Sequence, residues 1–368
     1  MVRRGGLVAD AQREKTMNRL LCSVVAVTIL SSGCAGSQTA VPPTREALRS
    51  VSEDLFVANQ GFTSSDTGDI TVYQPGSSQP DYTISEGIAV PKSLAFDADA
   101  NLYVANIESS SISVYAVGST NVLRTITNNV VQPTSVVFDR KDGSIYVASF
   151  DEPNVTVFAT KNGDYLRTIT KGLLGEALAL DVDTAGNLFV ATSLGTGKGS
   201  AITVYSPKRS ALIRTISLRT QAVSLLTLDK NDDLYVATHT AKPKFAITEY
   251  AANSARILRT IASGIHVPTA LALDASANLY VANQGSNTVT VYAPKSTKIL
   301  RTISSGIDFP VALAFSPSGS LNVANGASGH GSITQYAPGS GKVAETITDG
   351  VARPDFLSFS PQRGLLGE

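Results

Sequence analysis

Seven copies of one short-stranded unit predict an all-β fold, a seven-bladed β-propeller with four antiparallel strands per blade. Three observations carry this. First, a pentapeptide reading LYVAN, or close to it, begins at Leu55, Leu102, Ile145, Leu188, Leu234, Leu279 and Leu321. Its spacings run from 42 to 47 residues, which is the period of propeller blades and too long for leucine-rich or ankyrin units. Second, hydrophobicity within each copy alternates with a period of two rather than 3.6, so no amphipathic helix separates the strands and parallel βαβ architectures are excluded. Third, the two ends are complementary. The first copy opens directly on LFVAN, and the chain closes on PDFLSFSP, a strand with no blade after it.

The elements follow from composition. The innermost strand of each blade is the run before LYVAN: SLAFD from Ser93, SVVFD from Ser135, ALALD from Ala177, LLTLD from Leu225, ALALD from Ala270 and ALAFS from Ala312. Each is followed by Gly or Asn within a few residues, the chemistry of a hairpin turn that needs positive φ. Small residues at Ala95, Ala179, Ala272 and Ala314 suit strands crowded around an axis, where enlargement costs about 1 to 3 kcal/mol by overpacking. LYVAN is the second strand. The third begins at Ile70, Ile112, Val155, Ile202, Ile247, Val289 and Ile333, and it accepts Glu249 and Gln335, as a strand nearer the rim would. The outermost carries the TI pairs at Thr83, Thr125, Thr168, Thr215, Thr260, Thr302 and Thr346. Its arginines, Arg124, Arg167, Arg214, Arg259 and Arg301, read as edge protection and surface pairing. β-Branched and aromatic residues fill all these runs, and Gly, Pro, Asn and Ser separate them.

A C-terminal strand over Phe356 to Ser360 placed beside three N-terminal strands completes a seventh blade. Such a ring leaves no exposed inner edge.

Beyond the repeats, 43% hydrophobic residues indicate a chain able to bury a core, and 30 basic residues cancel 30 acidic ones. No basic stripe crosses the repeats, so nucleic acid is not an expected partner. The apolar run LLCSVVAVTIL, Leu20 to Leu30, follows Arg19. It is shorter than the ~20 residues of a spanning helix and fits the core of an export signal, with Met17 an alternative start. The stretch after it, LSSGCAGS, resembles a bacterial lipoprotein signal in which Cys34 becomes the lipidated first residue, although Ser31 stands where that family usually has Leu. The implied organisation is a signal over 1–34, a small, polar, Pro-bearing tether over 35–50 and the propeller over 51–368. With Cys22 removed and Cys34 acylated, no pair remains for a disulfide. A membrane-anchored, extracytoplasmic monomer is expected, in the periplasm or on the cell surface.

The wording P-x-x-LAFD-x-x-GNLYVAN resembles the NHL and YVTN propeller repeats over about residues 52 to 364. The same superfamily holds gluconolactonase-type and streptogramin-lyase enzymes, so the resemblance implies the fold and leaves activity open.

In a four-stranded antiparallel blade, the connections between second and third strands share one face with those from blade to blade. These vary in length and composition, and variation on a rigid scaffold is where function usually sits. All three histidines, His239, His266 and His330, fall in them. Lys92, Thr134, Glu176, Ser224, Thr269, Val311 and Asp355 are matched by position at the start of the innermost strands, and Asp308 takes the place of His266 one blade on. Lys92, Glu176, His266, Asp308, Asp355, His239 and His330 are therefore the ligand-binding candidates, against a background of ordinary solvation and loop capping. The recurring Asn59, Asn106 and Asn283 suit capping of loops better than sugar binding.

Two functions stay open. One is a non-catalytic module that presents its variable face to an envelope protein or glycan. The other is a metal-assisted lactonase or lyase, for which the resemblance implies a divalent cation, Ca²⁺ or Mg²⁺, among acidic, Asn or His side chains; Glu176, Asp355, Asp308 and His266 are its candidates. No G-x-S-x-G elbow or phosphate-binding loop is present.

Overall fold

The computed structural model describes residues 53–61, 67–194, 198–219, 221–240, 244–326 and 331–361. The signal, the tether, Cys34 and His330 lie outside the described residues.

Seven four-stranded antiparallel sheets make up the described chain. After β1 (Leu55–Asn59), β2 (Asp69–Tyr73) and β3 (Tyr82–Ile84), blade 2 is β4 (Pro91–Phe96), β5 (Leu102–Asn106), β6 (Ser111–Tyr115) and β7 (Val122–Ile126). Blade 3 is β8 (Pro133–Asp139), β9 (Ser144–Ser149), β10 (Val155–Ala159) and β11 (Tyr165–Ile169). Blade 4 is β12 (Glu176–Val182), β13 (Leu188–Ser193), β14 (Ser200–Tyr205) and β15 (Leu212–Arg219). Blade 5 is β16 (Ala222–Leu228), β17 (Leu234–His239), β18 (Phe245–Tyr250) and β19 (Ile257–Ile261). Blade 6 is β20 (Pro268–Leu273), β21 (Leu279–Asn283), β22 (Thr288–Tyr292) and β23 (Ile299–Ile303). Blade 7 is β24 (Pro310–Phe315), β25 (Leu321–Asn325), β26 (Ser332–Tyr336) and β27 (Val343–Ile347), and the last strand is β28 (Pro354–Phe359).

The ring closes as the complementary ends predict. β28 pairs antiparallel with β1, Phe356 opposite Ala58 and Phe359 opposite Leu55, so blade 1 has the order β28-β1-β2-β3. Each innermost strand packs on the next, from β4 through β8, β12, β16, β20 and β24 to β28, and β28 packs on β4. The second strands are buried along their length, save His239 at the end of β17, as strands covered by a blade on either side must be.

Blades are also joined by directed bonds. The tyrosine ending the third strand reaches back to the preceding blade: Tyr73 Oη donates to the Asp349 carbonyl at 2.5 Å, Tyr205 to Lys171 at 2.6 Å and Tyr292 to Ser263 at 2.5 Å. Tyr115 and Tyr336 bond to Glu86 and Ser305 in the same way. Beside them a hydroxyl on the same strand bonds to a turn carbonyl, as Thr71 Oγ1 does to Gly350 at 2.7 Å. Gly350 has φ +70°, and a Cβ there would lie 2.9 Å from Thr71 Cγ2 and 3.0 Å from Tyr73 Oη, so this close approach needs glycine.

The outer-strand arginines do more than protect an edge. Arg124 Nη1 donates to the Thr160 carbonyl at 3.0 Å and Arg167 Nε to Ser210 Oγ at 2.7 Å, each a residue of the following blade. Arg259 Nη1 likewise reaches the Ala293 carbonyl at 2.7 Å, and Arg301 reaches Gly339. The edge protection read from the sequence is thus joined by a strut between blades.

Candidate functional site

The blade-to-blade connections and those between second and third strands form one face, here the mouth face. The hairpins joining first to second and third to fourth strands form the other, the hairpin face. The sequence points to the mouth face, yet a cavity also opens on the hairpin face.

At the mouth face every innermost strand carries a register shift near its start. The unpaired residue at the shift is Lys92, Thr134, Leu178, Ser224, Thr269, Val311 or Asp355. These seven are all buried, at 2 to 8% exposure. They also bond to one another's strands. Thr134 Oγ1 donates to the Ala177 carbonyl at 3.0 Å and Thr269 Oγ1 to Pro310 at 2.7 Å. Lys92 Nζ sits 2.9 Å from Asp355 Oδ2.

Lys92 and Asp355 are therefore brought together, as partners of each other. Glu176 is not their counterpart in blade 4. It pairs with Ser193, two positions before the shift, and Leu178 holds the matched place. His266 and Asp308 do occupy matched, exposed positions, and their backbone amides bond to Asn283 Oδ1 at 2.9 Å and Asn325 Oδ1 at 3.0 Å. His239 is half-buried at the end of β17, its ring centroid 5.8 Å from that of Phe245, and burial lowers its pKa. Among the described residues no group of three or more His, Cys, Asp or Glu is placed to hold a metal ion. The recurring asparagines act as loop anchors: Asn106 Oδ1 accepts from the Ala89 amide at 3.0 Å, and its Nδ2 donates to the Gly87 carbonyl at 3.2 Å.

On the hairpin face lies a cavity of ≈ 380 Å³, lined by an arc of five consecutive blades. Phe96, Phe138, Val182, Leu228 and Phe359, from the ends of β4, β8, β12, β16 and β28, form its apolar wall. Asp181 stands among them. Its Oδ2 accepts from the Leu228 amide of the next blade at 2.9 Å and its Oδ1 from the Val182 amide at 2.8 Å. Burial pushes its carboxyl up to about 7 in spite of these two bonds, with Asp183 and Asp232 adding to the rise. Asp139, on the neighbouring wall, is pushed up to about 6 by burial, with Asp142 adding a smaller push.

The wording of the chain hid Asp181. ALALD from Ala177 matches ALALD from Ala270, which sets Asp181 level with the turn residue Asp274. In the fold the turn residue is Asp183, which accepts from the Ala185 and Asn187 amides as Asp97 does from Asp99 and Asn101. Strand pairing sets Asp181 level instead with Ala95, Val137, Thr227, Ala272, Ala314 and Ser358. A readable signal existed in the four-residue spacing from Asp97 to Asn101 and Asp274 to Asn278, which recurs from Asp183 to Asn187 and not from Asp181.

No family model and no curated protein matches the sequence. Solved structures do. Hydrazine synthase of Kuenenia stuttgartiensis is similar with a TM-score of 0.65 at 14% identity, over 74% of this chain and 90% of that one. A protein from Lactobacillus plantarum is similar with a TM-score of 0.66 at 17% identity, over 84% of this chain and 99% of that one. At such identities the likeness concerns the fold alone.

Proposed function

We propose that the chain is a non-catalytic binding propeller of the NHL and YVTN type, exported and lipid-anchored at Cys34, that presents its mouth face to an envelope protein or glycan. The supporting observation is the state of the mouth itself. Its matched residues are buried, Thr134 and Thr269 bond to the following blade, and Lys92 and Asp355 neutralise one another. What remains for a partner is the set of connections between second and third strands, which differ from blade to blade in length and chemistry while the ring beneath them repeats.

The metal-assisted hydrolase or lyase has less to stand on, since His266 and Asp308 lie on successive blades with no third ligand beside them among the described residues.

Fractionation and metabolic labelling test the anchor. The parent chain should enter the membrane fraction and take up labelled fatty acid, and Cys34→Ala should do neither. A Cys34→Ala protein that stays membrane-bound contradicts the anchor. A thermal shift with Ca²⁺ or Mg²⁺ that Glu176→Gln abolishes contradicts the non-catalytic reading, because a ligand at 100 times its dissociation constant adds about 2.7 kcal/mol.

A further inference from the structure

We infer that the hairpin-face cavity is a second, independent site that binds a small organic cation with an apolar body, an aralkyl or alkyl amine, with Asp181 as its counter-ion. The cavity's ≈ 380 Å³ falls in the range of small-molecule sites.

The chemistry follows from what surrounds Asp181. Six blades place a small or neutral side chain at this level and blade 4 places a carboxylate. Among the described residues no ion pair reaches it; its hydrogen bonds come from two backbone amides. An ionised carboxylate among apolar side chains is costly unless a cation joins it.

The other charges near it divide by depth. Of the acids, Asp183 and Asp229 are buried with both oxygens bound in their own turns, and Asp232 is bound to Thr184. Asp139 is 1% exposed and keeps Oδ2 without a hydrogen-bond partner. The cations Arg140, Lys141 and Lys230 are exposed residues at the rim; Lys230 Nζ donates to the Ala275 carbonyl at 3.5 Å, away from Asp181, and partial burial lowers the pKa of Arg140. β4 and β28 contribute no charged group to the lining. A ligand entering this space therefore meets carboxyl groups at depth and three phenylalanine rings, Phe96, Phe138 and Phe359. Rings beside a carboxylate are the usual surroundings of a bound ammonium. An inorganic ion is disfavoured because the acids do not converge as a ligand set.

The site does not depend on what the mouth face binds, and its test leaves that question untouched. Calorimetric titration of the full chain with 2-phenylethylamine at pH 8 should show one saturable site. Affinity should fall about tenfold at pH 6 as Asp181 takes up its proton. The anion 3-phenylpropionate should bind far more weakly. Asp181→Asn should lower amine affinity at pH 8 by at least tenfold and remove most of its pH dependence. Val182→Phe should block binding by filling the cavity. Phe96, Phe138, Phe315 and Phe359 already occupy the matched position in other blades, so this variant is expected to fold even where Asp181→Asn does not. Absence of saturable amine binding at pH 8, preference for the anion, or unchanged binding in a folded Asp181→Asn or Val182→Phe protein would each overturn the inference.

Discussion

Lys92 Nζ and Asp355 Oδ2 are 2.9 Å apart, a buried ion pair between residues 263 positions apart in sequence. Lys92 belongs to blade 2 and Asp355 to the C-terminal strand of blade 1, so the pair spans the seam where the ring is closed. Removing one partner leaves a charge in a packed interior. Asp355→Ala should therefore lose about 3 to 5 kcal/mol, while the double variant Lys92→Met, Asp355→Leu should be near neutral or more stable than the parent. Urea denaturation of the three proteins checks this; equal losses in the single and double variants would show that the pair's charge is not what matters.

Glu249 and Arg259 form another buried pair, across β18 and β19 of blade 5. Val72, Val114, Val157, Val204 and Val291 take the matched place of Glu249 in other blades. Arg259→Met should cost about 3 to 5 kcal/mol by stranding Glu249 and cutting the strut to Ala293, and adding Glu249→Val should recover most of it. Denaturation midpoints measure the recovery, and none at all would assign the loss to the strut alone.

The tyrosine bonds between blades predict additivity. Tyr205→Phe and Tyr292→Phe each remove one donor from a turn carbonyl, at about 1 kcal/mol apiece. Because blades 4 and 6 are not neighbours, the double variant should lose about the sum. A marked departure from the sum would mean that strain passes through blade 5.

Stability should fall as the pH rises from about 4 to about 7. The folded chain holds protons on Asp139 and Asp181, at about 6 and about 7, which the unfolded chain releases near the ordinary carboxylate value of ~3.9. Their contribution is thus fully present below that value and lost as the pH passes through the folded ones, by at most about 1.4 kcal/mol per pH unit for each group. Asp181→Asn should remove the upper part of this slope in denaturation curves collected from pH 5 to 8. An unchanged slope would rule Asp181 out as its source.

Blade number, strand order and closure were legible in the chain because a repeat multiplies each weak local signal by seven. Inter-blade contacts were not, since they depend on side chains reaching across a gap that no single repeat contains. Tyr292 and Ser263, or Arg124 and Thr160, become neighbours only when the ring is assembled. The site was misread for a related reason. Glu176 and Asp181 lie toward the two ends of β12, whose wording matches other blades out of register, and only pairing with β13 puts Leu178 at the mouth and Asp181 in the cavity. A charged ring looks like a ligand site in one dimension; in three, Lys92 and Asp355 satisfy each other.

Closure of the ring by β28 against β1 supports everything else described here. The most direct test is a chain ended at Pro354, compared with the full chain by calorimetric melting and dye binding to exposed apolar surface. Loss of β28 leaves β1 with an open inner edge and uncovers Phe56, Leu94 and Leu313. The truncated protein is predicted to be insoluble or to bind dye and melt without a cooperative transition. A soluble product with the melting temperature of the full chain would contradict the closed ring.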